Sequence, residues 1–198
     1  MNLMHAAARF LTGERVYLRP INAEDAEWYY HQLEGSETRR LTGTQKMYTK
    51  EQIERYVLEK ADDASAVLLL IALNENDKTI GDIAIQDIDR MNRNANIRIA
   101  VSEEHQQGKG YGREALLLML EYGFGILNLH RIELEAYSYN ERVLHVYERL
   151  GFTKEGVRRE ALYYDHEYHD IITMSLLEDE YRKKFRTKGQ KRSNQSIH

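Results

Sequence analysis

From Arg15 to Arg19 the chain alternates polar and apolar residues (RVYLR), the pattern of a half-buried strand. The next stretch, INAEDAEWYYHQLEG, changes period. Ala26, Tyr29, Tyr30 and Leu33 recur at helical spacing, Asn22 and Asp25 form a cap pattern, and Gly35 closes the segment. A second helix is predicted from Thr49, where Thr49 and Gln52 make a capping-box pattern ahead of Ile53, Tyr56 and Val57. The run AVLLLIAL, Ala66 to Leu73, fits a buried strand or a buried helix by itself. The turn cluster NENDK and the alternating TIGDIAIQDID after it make a hairpin the expectation.

Asn96 to Val101 alternates again, and Gly112 to about Leu127 is apolar nearly all round, as a helix packed on a sheet would be. Arg131–Tyr137 reads as a strand with Ile132, Leu134 and Ala136 on one face. Asn140 is placed to cap a short helix through Leu150, with Gly151 at a left-handed C-terminal position. Phe152–Val157 and Tyr168–Leu176 then form two strands around a polar turn near Asp165. This order predicts an α/β (α+β) sandwich of mixed sheet and packed helices, not a doubly wound parallel sheet. No Pro/Gly/Ser-rich linker or repeat interrupts the chain, and Pro20 is its only proline. Residues 1–181 are therefore expected to form a single domain, and the basic stretch 182–198, which begins RKKFRTKGQKR, a flexible tail.

Composition narrows the function by exclusion. A formal net charge of −4 gives no global drive toward nucleic acid or anionic membrane, so only the tail could favour an RNA or ribosome contact. With no cysteine, disulfides, thiolate metal sites and a covalent cysteine intermediate are ruled out. The first residues have the wrong flanks for a secretory signal, and no run approaches a membrane span, which makes the cytoplasm the default address.

The segment EEHQQGKGYGREALLLML joins a strand directly to a helix. Gly108, Gly110 and Gly112 let the backbone approach a ligand closely. The loop's N–H groups and those of the helix's first turn converge on one spot, an anion site, with Lys109 and Arg113 adding positive charge. No Gly-Lys-Ser/Thr occurs, which excludes a Walker loop, and Arg113 stands where a dinucleotide fingerprint needs its third glycine. QGKGYG fits the Q/R-x-x-G-x-G/A loop of acetyl-CoA binders at every position, although a tight packing turn would also use such glycines.

Three blocks in order, QGKGYG, LNLHRIEL and N-x6-YERLGF, resemble the core of the GNAT superfamily of N-acetyltransferases. The nearest branch is that of ribosomal-protein N-acetyltransferases and spermidine acetyltransferases. The likeness is detailed from about Ala95 to Tyr181 and only in outline before that. It implies a mixed, mostly antiparallel twisted sheet of about six to seven strands flanked by about four helices. It also implies acetyl-CoA as donor and an amine as acceptor, either a polyamine-like small molecule or a protein N-terminus. Ile99, Ala100 and Val101 would pair with the pantetheine arm. Gln107, Gly108, Lys109, Gly110, Tyr111, Gly112 and Arg113 would hold the pyrophosphate, and Asn140 would bond the pantetheine region.

The same likeness gives Tyr147 the role of general acid to the leaving thiolate, which a phenol with a pKa near ~10 can fill at neutral pH. Its place on a stripe with Val143 and Leu150 also suits a core residue. The general base is where the chain departs from the family: Asn96 stands where a glutamate is common, and an amide cannot accept the amine's proton. Asp82, Glu133, Glu135 or a water chain are the substitutes. Direct attack in a ternary complex is the simplest mechanism, and a non-catalytic coenzyme A-sensing module is the alternative. No metal is expected, because His166 and His169 fall on opposite faces of a strand. Trp28, Tyr29 and Tyr30 could line a substrate mouth, and Glu34 and Glu37 could draw in a cation. The chain could also associate as a homo-oligomer.

Overall fold

The chain is described here by a computed structural model covering residues 8–102 and 104–186. Among these residues one eight-stranded sheet runs in the order β1-β2-β3-β4-β5-β6-β8-β7. The strands are β1 (Leu11–Thr12), β2 (Val16–Pro20), β3 (Val67–Leu73), β4 (Thr79–Asp89), β5 (Asn94–Val101), β6 (Arg131–Tyr137), β7 (Thr153–Tyr164) and β8 (Glu167–Leu177). The helices are α1 (Ala26–Gln32), α2 (Ser36–Thr42), α3 (Lys50–Asp62), α4 (Tyr111–Gly125), α5 (Glu141–Leu150) and α6 (Glu178–Phe185). Every neighbouring pair is antiparallel except β5 and β6, which the α4 crossover makes parallel.

The mixed, mostly antiparallel sheet expected from the resemblance is present, with more elements than the expected count. The additions are the two-residue β1, and the short helices α2 and α6. α6 also carries ordered chain through Phe185, four residues into the stretch read as a tail, with Tyr181 buried against Phe124. Residues 187–198 lie outside the described residues.

Local chemistry sets the boundaries. Asn22 and Asp25 cap each other reciprocally, as do Thr49 and Gln52 at the start of α3. The Asn140 side chain accepts from Val143 N at 3.3 Å to start α5, and Gly151 ends that helix with φ +100°. The sheet is covered on both faces. Leu116, Met119, Leu120 and Phe124 of α4 share one core with Ile83, Ile85, Ile97 and Ile132. On the opposite face α1 and α3 bring Tyr29, Ile53 and Val57 against Leu68, Leu70 and Ala84. Each buried aliphatic side chain contributes about 1.5–3 kcal/mol, so the two cores fix the frame on which the loops are held. No helix among the described residues is long and apolar enough to cross a membrane.

Candidate active site

The parallel partners β5 and β6 are joined only at their starts. Asn94, Ala95 and Asn96 pair with Arg131, Ile132 and Glu133, and beyond that the strands diverge. From Ile97 to Val101, β5 stays paired with β4 but turns its other hydrogen-bonding edge to the gap. Backbone N–H and C=O groups on such an edge can receive an extended polar chain as a further strand. The gap opens into a cleft of about 1400 Å³ that runs from the glycine loop to the α1–α3 face.

At one end the loop is shaped by Gly108 (φ +79°) and Gly110 (φ +88°), both in the left-handed region that favours glycine. Gly112 has no such requirement; a Cβ there would only touch Val101 and Ile99. Gln107 Nε2 donates to Val101 O at 3.0 Å, tying the loop to the end of β5. From below, Arg15 braces the loop: Nη1 donates to Lys109 O at 2.8 Å and Nε to Glu114 Oε2 at 3.0 Å. Glu114 also accepts from the N–H groups of Arg15 and Val16. Although burial opposes it, these donors hold the Glu114 carboxyl below the usual carboxylate range.

Gln107, Gly108, Gly110, Gly112, Arg113, Ile99, Ala100, Val101, Asn140 and Tyr147 all line the cleft. Two residues of the motif turn elsewhere: Lys109 Nζ bonds Gln106 Oε1 at 3.2 Å, and Tyr111 lies under the Arg15 guanidinium. A cation that sequence reasoning missed takes their place. Arg142 of α5 reaches back over the loop, so that a Cβ on Gly108 would collide with its Nη2. In sequence it looks like any solvated helix charge two residues past a cap. A loop closed to larger residues, two guanidiniums and an open strand edge fit a phosphate-bearing acyl carrier such as acetyl-CoA.

Tyr147 is 6% exposed and lies against Phe152, with ring centroids 5.8 Å apart. Burial pushes its phenol above the ordinary value, so it stays protonated through the neutral range. Its hydroxyl has no hydrogen-bond partner among the described residues.

At the other end of the cleft, Asp82 of β4 accepts from Arg98 Nη1 at 2.5 Å and from the Tyr29 hydroxyl at 3.3 Å. Arg98 Nη2 in turn donates to the hydroxyls of Tyr29 and Tyr56, both at 3.2 Å. Burial works against the Arg98 charge, but Asp82 and the two phenols outweigh it and hold the guanidinium firmly protonated. Desolvation, and next the Asp82 charge, push the Tyr29 phenol well up.

Asp82 thus stands in the cleft engaged by an arginine. Glu135 also lines the cleft and pairs with Arg158 at 2.8 Å, whereas Glu133 pairs with Arg131 outside it. Asn96 lines the cleft opposite Gln86. Of the aromatic trio only Tyr29 reaches it; Trp28 and Tyr30 do not, nor do Glu34 and Glu37, which pair with His31 and Arg40. Among the described residues no group of three or more acidic or histidine side chains is placed to hold a metal. His166 sits in the β7–β8 turn with φ +67°.

The two ends differ in charge. The described lining on the glycine-loop side carries Arg113, Arg142, His145 and Arg149 and no carboxylate. On the α1–α3 side the lining carries Glu59, Asp82, Asp87 and Glu135 against Arg55 and Arg98, and Arg158 pairs with Glu135 from outside the lining.

Residues 15–153 match the acetyltransferase (GNAT) domain family. The spermidine N(1)-acetyltransferase of Escherichia coli K12 is 28% identical over 184 residues, covering 90% of this chain and 95% of that protein. A Bacillus subtilis protein named as a candidate ribosomal N-acetyltransferase is 36% identical over 101 residues, 51% of this chain and 55% of its own length. The crystal structure of a Vibrio cholerae spermidine N-acetyltransferase in complex with CoA and spermine superposes with a TM-score of 0.79. It covers 84% of this chain and 97% of its own at 24% identity, a likeness of fold.

Proposed function

The chain belongs to the acetyltransferase (GNAT) domain family, whose members use acetyl-CoA as donor, and we propose that its acceptor is a small, multiply charged amine of the polyamine kind. The observation that carries this reading is the division of charge along the cleft: cations where phosphates would lie, an excess of carboxylates where the amine would lie. Such a division draws each substrate to its own end and disfavours the reversed arrangement. The spermidine acetyltransferases among the relatives point the same way. A cytoplasmic address completes the proposal, in keeping with a cysteine-free chain.

Bound acetyl-CoA supplies a thioester whose carbonyl carbon is open to attack. The free edge of β5 at Ile99–Val101 would orient that group, while Gly108, Gly110, Arg113 and Arg142 would hold its phosphates. The attacking nitrogen first gives its ammonium proton to solvent; its lone pair then forms the C–N bond and the C–S bond breaks. Tyr147 gives its phenolic proton to the departing sulfur, and the proton shed by the amine passes through water to restore the phenol. Asn96 can orient that water but cannot hold the proton. Direct transfer needs no enzyme nucleophile, and the chain contains no cysteine to act as one.

Calorimetry with acetyl-CoA and CoA, joined to turnover on a panel of mono-, di- and polyamines, tests the proposal. We expect micromolar donor binding and kcat/KM rising with the number of ammonium groups. A panel in which monoamines outperform polyamines would overturn the acceptor class; absence of donor binding would overturn the whole site.

A further inference from the structure

The acceptor end of the cleft is spanned by a short piece of chain. Helix α2 and the loop after it lie over β5 on one arm of the diverging strands, and Leu41, Thr42 and Thr44 line the cleft. From the other arm, at the far end of β6, two tyrosines reach across. The Tyr137 hydroxyl donates to Thr42 O at 3.3 Å, and the Tyr139 hydroxyl donates to Arg40 O. Both acceptors are last-turn carbonyls of α2, and that of Arg40 also accepts from Gly43 N at 3.3 Å. The two rings stack 5.5 Å apart, and the Arg40 guanidinium lies 5.2 Å over Tyr139. Further along, Gln45 Nε2 donates to Tyr163 O of β7. Gly43, with φ +65°, passes so close to Tyr137 that a Cβ would collide with its hydroxyl.

Seven residues are too few for a helix to persist alone in water, and α2 has no buried residue. Its position therefore depends on these tethers and not on a core. We propose that α2 is a strap closing the acceptor entrance, that Tyr137 and Tyr139 are its latches, and that they set specificity by admitting slender small amines while excluding the N-terminus of a protein chain. The inference rests on the amine-acetyltransferase reading above. A thin aliphatic amine can pass beneath a strap that a peptide, with side chains and a flanking folded body, cannot pass without unlatching it. The phenols are suited to a standing latch: burial, and next Glu135, raise Tyr137, and burial together with Tyr137 pushes Tyr139 up to about 12, so both keep their donor proton at neutral pH.

The test compares wild type with Tyr137→Phe/Tyr139→Phe. Readouts are kcat/KM for spermidine, for a ten-residue peptide with a free N-terminus and for a small folded protein, alongside hydrogen exchange of the Ser36–Thr42 amides. Each lost hydroxyl should raise the open population about two- to tenfold. The double variant should then speed α2 exchange and lift the peptide-to-spermidine ratio by about tenfold or more. Gly43→Ala attacks the same contact from the strap side and should shift both readouts in the same direction. Wild type acetylating the peptide as well as spermidine would overturn the proposal. So would an unchanged substrate ratio once exchange has accelerated, or unchanged exchange in all the variants. Exchange is read without turnover, so the latch fails or stands even on an enzyme found inactive on every amine. Inactivity of that sort would count against the function and not the latch.

Discussion

The Asp82 side chain is 7% exposed, and that of its partner Arg98 is 31% exposed. Removing one charge from this pair should therefore have unequal consequences. In Arg98→Gln the carboxylate stays where water hardly reaches, retaining one phenol donor, Tyr29, at 3.3 Å. An uncompensated buried charge of this kind costs about 3–5 kcal/mol. In Asp82→Asn the guanidinium keeps its bonds to the hydroxyls of Tyr29 and Tyr56, and its cleft-facing part can hydrate. The loss there should be nearer ~1–2 kcal/mol, that of one charged hydrogen bond partly replaced by water. The double variant Arg98→Gln/Asp82→Asn leaves two neutral amides among the phenols and should lie close to Asp82→Asn alone.

Urea unfolding followed by circular dichroism measures all four corners of this cycle. With a slope of ~2–3 kcal/mol per molar, the Arg98→Gln midpoint should fall by about 1–2 M and the Asp82→Asn midpoint by about 0.5 M, at unchanged slope. A double variant more stable than Arg98→Gln would be the clearest support, since adding a second substitution then rescues the first. Equal single losses, or a larger loss for Asp82→Asn, would mean that exposure does not decide which charge needs its partner.

Three further outcomes are expected. Tyr147→Phe should lower kcat on the best amine by about 10²-fold, with little change in the calorimetric Kd for acetyl-CoA; an equal loss in both would mark the residue as packing only. Gly108→Ala and Arg142→Gln should each weaken acetyl-CoA binding by about tenfold, and Arg142→Gln should also flatten its salt dependence. An unaltered Kd in both would detach the loop from the donor. Glu155, bonded to Arg131 and Ser175, has its carboxyl lowered to about 2. Its contribution is thus present above the unfolded-state value near ~4.3 and disappears as pH falls through about 2. A carboxyl resonance titrating near ~4.3 in the folded protein would show that the pair does not form.

Much of the frame could be read from local signals. Asn22, Thr49, Asn140 and Gly151 each act through atoms within a few residues, and each does in space what its spacing predicted. The final hairpin was legible only in its cores, because β7 runs on to Tyr164 through an irregular register between Arg158 and Leu162 that breaks the alternation. Helix α2 left no periodic signature, since it presents no apolar stripe to a core. The parts of the site that escaped are those made by distant partners. Tyr139 meets Arg40 across 99 positions, Arg142 meets Gly108 across a strand and a helix, and Arg98 claims Asp82 by the register of β4 on β5. A carboxylate can be named as a base from sequence, but whether a guanidinium already holds it is a fact of packing.

Only three residue pairs join the two arms of the sheet at β5 and β6. A ligand lying along the free edge of β5 would therefore act as a missing rung between them, adding to global stability as the logarithm of its concentration relative to Kd. At a hundredfold excess over Kd that amounts to about 2.7 kcal/mol. The protein's half-life under a protease that cuts opened chains should lengthen with donor concentration. The amount of enzyme present would then become a gauge of how much acetyl donor surrounds it.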